Sequence, residues 1–208
     1  MQHLFELFSP IAGPFVEHLK LTATALSIAL SIAMPVGVLL TRVAWLRGPV
    51  LSVLGVIYTI PSLSLLVLLI PLFGIGTTPA IIALVAYAQL VLVRNIVVGL
   101  SSVDPAIVEA ARGMGMSGWQ RFSRVELPLS LPLILAGVRL ATLSIIAIGT
   151  VAALVGAGGL GTPLFLGVTT GDSGKIVAGS VAVALLAFGT NAILGFLERR
   201  AARAVRGT

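Results

Sequence analysis

Few residues in this chain are of a type that performs covalent chemistry. It has no cysteine, and His3 and His18 are its only histidines. Two isolated imidazoles without further candidate ligands read as interfacial side chains, so no metal site is expected. No nucleophile with a base beside it and no paired carboxylates stand out, which speaks against an enzyme. Glycine strings offer a different chemistry, the cradling of phosphates. The pattern GxGxxG occurs at Gly113–Gly118 and again at Gly156–Gly161. A dinucleotide loop needs such a string between a strand and the helix of a βαβ unit, and neither string has that setting. Gly174 and Lys175 superficially resemble a phosphate loop but lack its upstream glycine and its following Ser or Thr. The chain is therefore expected to hold no ATP and no other cofactor.

What remains is a polar stretch, EAARGMGMSGWQRFSRVELP, from Glu109 to Pro128. Asp104 suits an N-cap and Pro105 the first helical position, so a short helix should start there and run through Ile107, Val108 and Ala111. Gly113 or Gly115 supplies the positive φ that ends it. Ser117 and Gln120 have capping-box spacing, so a second short helix follows, carrying Trp119, Phe122 and Val125. Pro128 should close it. The expected object is a pair of short helices around a glycine corner. Ala110 and Ala111 are small enough to let a partner approach closely. Read on residues alone, the same stretch also fits an amphipathic connector lying on a membrane surface.

The elements that position this corner follow from composition. The chain of 208 residues is 58% hydrophobic and only 10% charged, with a mean hydropathy of +1.13. Soluble domains carry about 25% charged residues, so this is an integral membrane protein, and its apolar stretches have the lengths of crossing helices, which makes the expected fold all-α. The net charge of +6 does not point to nucleic acid, because the basic residues sit at the ends of apolar spans, where membrane topology places them. No signal peptide is apparent.

Residues 1–18 should lie at the membrane interface, with Pro10, Gly13 and Pro14 breaking any long helix. Lys20 and Arg42 bracket 21 uncharged residues, enough for one crossing, with Pro35 inside it. Arg47 and Arg94 bracket 46, which suits two crossings joined by a turn at Gly74–Pro79. A fourth span should follow Pro128 to about Val155. A glycine-rich loop over 156–174 and a fifth span near 176–197 complete the count. Five crossings put the termini on opposite sides. The side of the corner would then hold nine basic residues (Arg42, Arg47, Arg112, Arg121, Arg124, Arg199, Arg200, Arg203 and Arg206) against Lys20 and Lys175 opposite. By the positive-inside bias that side is cytoplasmic, the N-terminus out and the C-terminus in.

Polar residues within the spans are scarce. Tyr58, Thr59, Ser62 and Ser64 surround Pro61, which removes a backbone donor and leaves the Ile57 carbonyl without its usual donor. Tyr58, Pro61, Ser62 and Tyr87 are candidate pathway residues, although small polar groups also serve helix packing. Tyr87 and Arg94 should share a helix face, with Arg94 at the cytoplasmic end. Arg139 falls inside the fourth span, where it reaches headgroups, lines a pathway or contacts another helix. Gly158, Gly159 and Gly161 of the second glycine string are candidates for an outer gate or for close helix packing.

The corner's pattern is Glu-Ala-Ala, three residues, Gly, nine residues, then Val-x-Leu-Pro. It resembles the coupling segment by which permease subunits of bacterial ABC importers engage their ATPases, with Val125 where that family usually has Ile. YTIPSLSLLVLLIPLFGIGTTPAIIALV and LVGAGGLG extend the similarity to osmoprotectant permeases, importers of glycine betaine, carnitine, choline and related compounds, over roughly Arg42 to Gly161. The resemblance implies a type I importer fold like that of methionine permeases in a single domain of the bacterial inner membrane. It also implies a second permease subunit, two cytoplasmic ATPases and an external substrate-binding protein. It implies a coupling role for Glu109, Ala110, Ala111, Arg112, Gly115, Leu127 and Pro128, with Glu109 at the ATPase contact and Gly115 at the hinge. Another small solute, an amino acid or an ergothioneine-like betaine, stays open, as does a channel or scaffold that needs no ATPase. With two Trp and two Tyr, the chain is short of the aromatic surface that cages quaternary ammonium groups. Selection is therefore expected to fall to the separate binding protein.

Overall fold

The computed structural model of the protein describes residues 11–206. Expectations for residues 1–10, His3 among them, lie outside the described residues. Every element is helical: α1 (Ala12–Arg42), α2 (Ala44–Thr59), α3 (Ser62–Phe73), α4 (Thr77–Ser101), α5 (Pro105–Gly113), α6 (Gly118–Arg121), a π-helical turn (Phe122–Glu126), α7 (Leu127–Ala152), a 3₁₀ turn (Ala153–Val155), α8 (Gly161–Thr170) and α9 (Ser173–Arg206). Four continuous helical stretches among the described residues are long and apolar enough to cross a membrane; α2 and α3, bent by 93° to one another, reach that length only as a pair.

The core is built around α4, which packs on α1 from one side and on α7 from the other. In α1 the contact is a stripe of small residues at every fourth position, Ala25, Ala29, Ala33 and Gly37, all buried. Such spacing puts the small side chains on one face and lets backbones approach where lipid supplies no hydrophobic drive. The approach is close: a Cβ on Gly37 would lie 2.5 Å from Cγ2 of Ile96. Gln89 spans the same contact and donates to the Ala29 carbonyl at 3.2 Å. On the α7 side, Gly137 leaves room for Asn95, whose Cβ would sit 2.4 Å from a Cβ there. A second cluster, Ile146, Leu160, Ala178, Ala182 and Leu186, joins α9 to α7 and the glycine string.

Several expectations are corrected. Gly13 and Pro14 do not break a long helix; both sit in the first turn of α1, where backbone N–H groups have no intrahelical acceptor and proline loses nothing. His18 is not an interfacial side chain but fully buried. The segment 156–174 is not one loop, since it contains α8. α4 runs on past Arg94 to Ser101, and Arg94 is exposed while Tyr87, expected to share its face, is buried.

Candidate functional site

The polar corner is assembled by local hydrogen bonds. Asp104 Oδ1 accepts from the Ala106 N–H at 2.8 Å and caps α5. Gly115, at φ +78°, ends it. The Met116 N–H reaches the Ala111 carbonyl at 3.2 Å and the Gly115 N–H that of Arg112 at 3.0 Å, the paired bonds of a Schellman motif. Of the two candidate glycines, Gly115 takes the positive φ and Gly113 stays helical. Ser117 and Gln120 then form the expected capping box, with Gln120 Oε1 accepting from the Ser117 N–H at 2.8 Å.

Pro128 does not close the second helix. The Leu127 N–H bonds five residues back to the Phe122 carbonyl, so the chain widens by one residue per turn just ahead of the proline. A proline clashes with the carbonyl four residues before it and donates no bond of its own. The π-helical turn absorbs that misfit, and the helix passes without a stop from Gly118 to Val155. The corner is thus rigidly continuous with a membrane span.

One buried carboxylate fastens the corner to the rest. Glu126, whose side chain is 8% exposed, receives Arg42 Nη2 on Oε2 at 2.5 Å and Arg121 Nε on Oε1 at 3.0 Å. Arg42 is the last residue of α1, so this clamp ties the first span to the corner. Buried alone, the carboxylate would be costly; with a guanidinium on each oxygen it is charge-compensated. Sequence reasoning missed it, although Glu126 is the only acid between Glu109 and Asp172. At the same end Arg47 Nη2 donates to Ser101 Oγ at 3.0 Å.

The outward face of the corner carries Glu109 and Arg112, exposed and 3.4 Å apart. Ile107, Met114 and Trp119 stand exposed on the same segment. Ala110 is exposed, whereas Ala111 is buried inside the corner itself. Leu127 and Pro128 open α7, the latter exposed.

The opposite end is fastened by Glu17 and His18 of α1. The Gly159 N–H donates to Glu17 Oε2 at 3.1 Å and the Leu160 N–H to His18 Nδ1 at 3.3 Å. The glycines make room for this. Gly158 and Gly159 have φ of +76° and +78°, and a Cβ on either would come within 2.9 Å of Glu17 Oε2 or His18 Nδ1 respectively. Gly161 lies against the Thr150 carbonyl, 2.0 Å from where its Cβ would be.

Between these ends the pathway candidates meet at the bend. Tyr87 on α4 donates its hydroxyl to the Ile60 carbonyl beside Pro61. The rings of Tyr58 and Tyr87 meet edge to face, with centroids 5.9 Å apart and planes at 72°. With Pro61 unable to donate, the Ile57 carbonyl takes the Ile60 N–H at 3.2 Å instead. Ser62 begins α3 directly after the break. Arg139 stands apart from this group. Its Nε lies 3.1 Å from Glu198 Oε2 on α9, off the line of a hydrogen bond, so it makes an interhelical ion pair.

A family model described as binding-protein-dependent transport system inner membrane component matches residues 29–206. The carnitine transport permease protein OpuCB of Listeria monocytogenes is 41% identical over 184 residues, 88% of this chain and 84% of that one. The osmoprotectant import permease protein OsmW of Salmonella typhimurium is 42% identical over 182 residues, 85% of each. A chain from an inward-facing structure of the MetNI methionine ABC transporter aligns over 99% of both chains with a TM-score of 0.80 at 25% identity.

Proposed function

Since the chain belongs to the binding-protein-dependent transport system inner membrane component family, we propose that it is the permease of an ATP-driven importer for osmoprotectants such as glycine betaine, carnitine or choline. It is a transport subunit of the inner membrane. The observation that carries the solute class is the 41–42% identity, over most of the chain, to permeases named for carnitine and osmoprotectants. The methionine transporter shares the fold at 25% identity, a weaker guide to the solute.

In this reading the corner faces the cytoplasm, the N-terminus is out and the C-terminus in. Glu109 and the exposed apolar residues beside it dock a cytoplasmic ATPase. Gly115 keeps the angle of the docked unit, and α7 carries its movement into the membrane because no stop intervenes at Pro128. A second permease, a copy or a paralogue, faces α2 and α3 across the passage and completes it. Two ATPases bind below, and an external binding protein delivers the solute. ATP closes the ATPases, the α5–α6 unit moves with them, and the spans switch which side of the passage is open. Reconstitution with the cognate ATPase and binding protein in liposomes tests this. ATP-dependent accumulation of radiolabelled glycine betaine, carnitine or choline is expected. Accumulation of an amino acid alone would overturn the solute class, and ATP-independent leakage of all solutes would overturn the importer.

A further inference from the structure

The two tyrosines of the chain are brought together at the 93° bend between α2 and α3, 29 positions apart in sequence. They play unequal parts. Tyr87 is 4% exposed and its hydroxyl is spent on the Ile60 carbonyl, so it acts as a fixed buttress. Tyr58 rests on that buttress and is 42% exposed, on a helix with no buried residue of its own. A rigid ring is thus presented sideways, away from the subunit's own core.

The backbone beside it is unusual for a membrane interior. Ile60 and Pro61 are extended (ψ 129° and 132°), so α2 ends one residue earlier, at Thr59. Among the described residues no backbone N–H reaches the Tyr58 or Thr59 carbonyl. A helix end with unpaired carbonyls is the negative pole of the helix. Tyr58 lies 11 residues beyond Arg47, about 16 Å along the axis, near the middle of a hydrocarbon core of roughly 30 Å. Broken helices at that depth are where transporters hold their solutes.

We propose that the Tyr58 ring and the carbonyl end of α2 form a transient site for a quaternary ammonium group within the permease. This deepens the function proposed above and rests on it. The chemistry selects this cation over others. Residues 48–93 contain no charged side chain, so neither a metal ion nor a primary ammonium finds a carboxylate there. A fully methylated ammonium has no N–H to satisfy and is held by ring faces and carbonyl dipoles alone. One ring with one helix end makes a weak site, which suits a passage that must release what it binds.

The test uses the complete transporter in liposomes, with radiolabelled choline and glycine betaine supplied with the binding protein. Tyr58→Leu is expected to lower the maximal uptake rate about five-fold, in line with one lost cation–π contact, while ATP hydrolysis persists. Tyr58→Phe keeps the ring and should retain most of the rate. Tyr58→Met, with similar bulk and no ring, replaces the leucine variant if that one fails to assemble. Wild-type uptake by the ringless variants would overturn the site, as would an equal loss in Tyr58→Phe. If the wild-type transporter imports neither cation, the osmoprotectant reading itself fails and the site falls with it. If it imports both and the ringless variants do too, only the site is lost.

Discussion

Glu126 holds together two parts of the molecule that lie 84 positions apart in sequence. Breaking a buried pair leaves its partners uncompensated and costs about 3–5 kcal/mol. Arg42 is 45% exposed, so water offsets part of that. Glu126→Ala should lower the temperature at which the detergent-solubilised protein aggregates by several degrees, and Arg42→Ala by less. Equal melting of both variants and the wild type would argue that the clamp contributes nothing. Nor are the glycines that follow α7 equivalent. Gly161→Ala would drive a methyl into the Thr150 carbonyl, whereas Gly171, at φ +69°, meets nothing within 4 Å. Gly171→Ala should cost only the left-handed backbone strain, roughly 1–2 kcal/mol, and leave the membrane yield near normal. Gly161→Ala should abolish it. These roles were hidden in the sequence for a plain reason. A carboxylate in a polar run and a histidine near a terminus look solvated until their distant partners are known.

At the scale of elements, the α5–α6 corner was legible because every bond that makes it is local. Asp104, Ser117 and Gln120 act within a few residues of themselves, so spacing specified them, while for the positive φ it left Gly113 and Gly115 open and the structure chose Gly115. Pro128 misled for the complementary reason: its usual clash is relieved by a π-helical turn, which leaves no residue-type signature. Gly115→Val should fail in a defined way. A β-branched residue at φ +78° is strongly disfavoured, and the corner's angle would open. Uptake should vanish while the permease still reaches the membrane, as quantitative blotting of membranes would show. Normal transport by this variant would count heavily against a coupling role. The α1–α4 contact makes a second test. The Ile96 atoms facing Gly37 are those nearest its own backbone, so they cannot swing aside. Gly37→Ala should destabilise by about 1–3 kcal/mol. Gly48→Ala, with open space around it, should not. Thermal scanning in detergent separates the two. The stripe that makes this contact is visible in the sequence only once one knows that α4 is its neighbour, because alanines every four residues are common in apolar helices.

The whole molecule leaves much apolar surface uncovered, including Val53 and Val56 on α2, Leu68 and Leu72 on α3, and Leu185 and Phe188 on α9. Such exposure far exceeds what a soluble monomer carries, and lipid together with a second subunit is its natural cover. The orientation of the proposed function can be read directly, since the chain contains no cysteine. A cysteine placed at Gly118 should react with an impermeant maleimide only in inverted vesicles, and one at Thr169 only in intact cells. The opposite pattern would turn the protein over and remove any ATPase from reach of the corner.

The first helix has a consequence beyond its packing. Its last residue is gripped by the clamp, and Glu17 and His18 near its start grip the glycine string. From His18 to Arg42 is about 36 Å of continuous helix, longer than the oily layer is thick. That helix is a tie-rod, fastened by polar bolts near both of its ends and packed through methyl-sized side chains between them. A tug at one bolt meets no intervening loop to slacken it before the other.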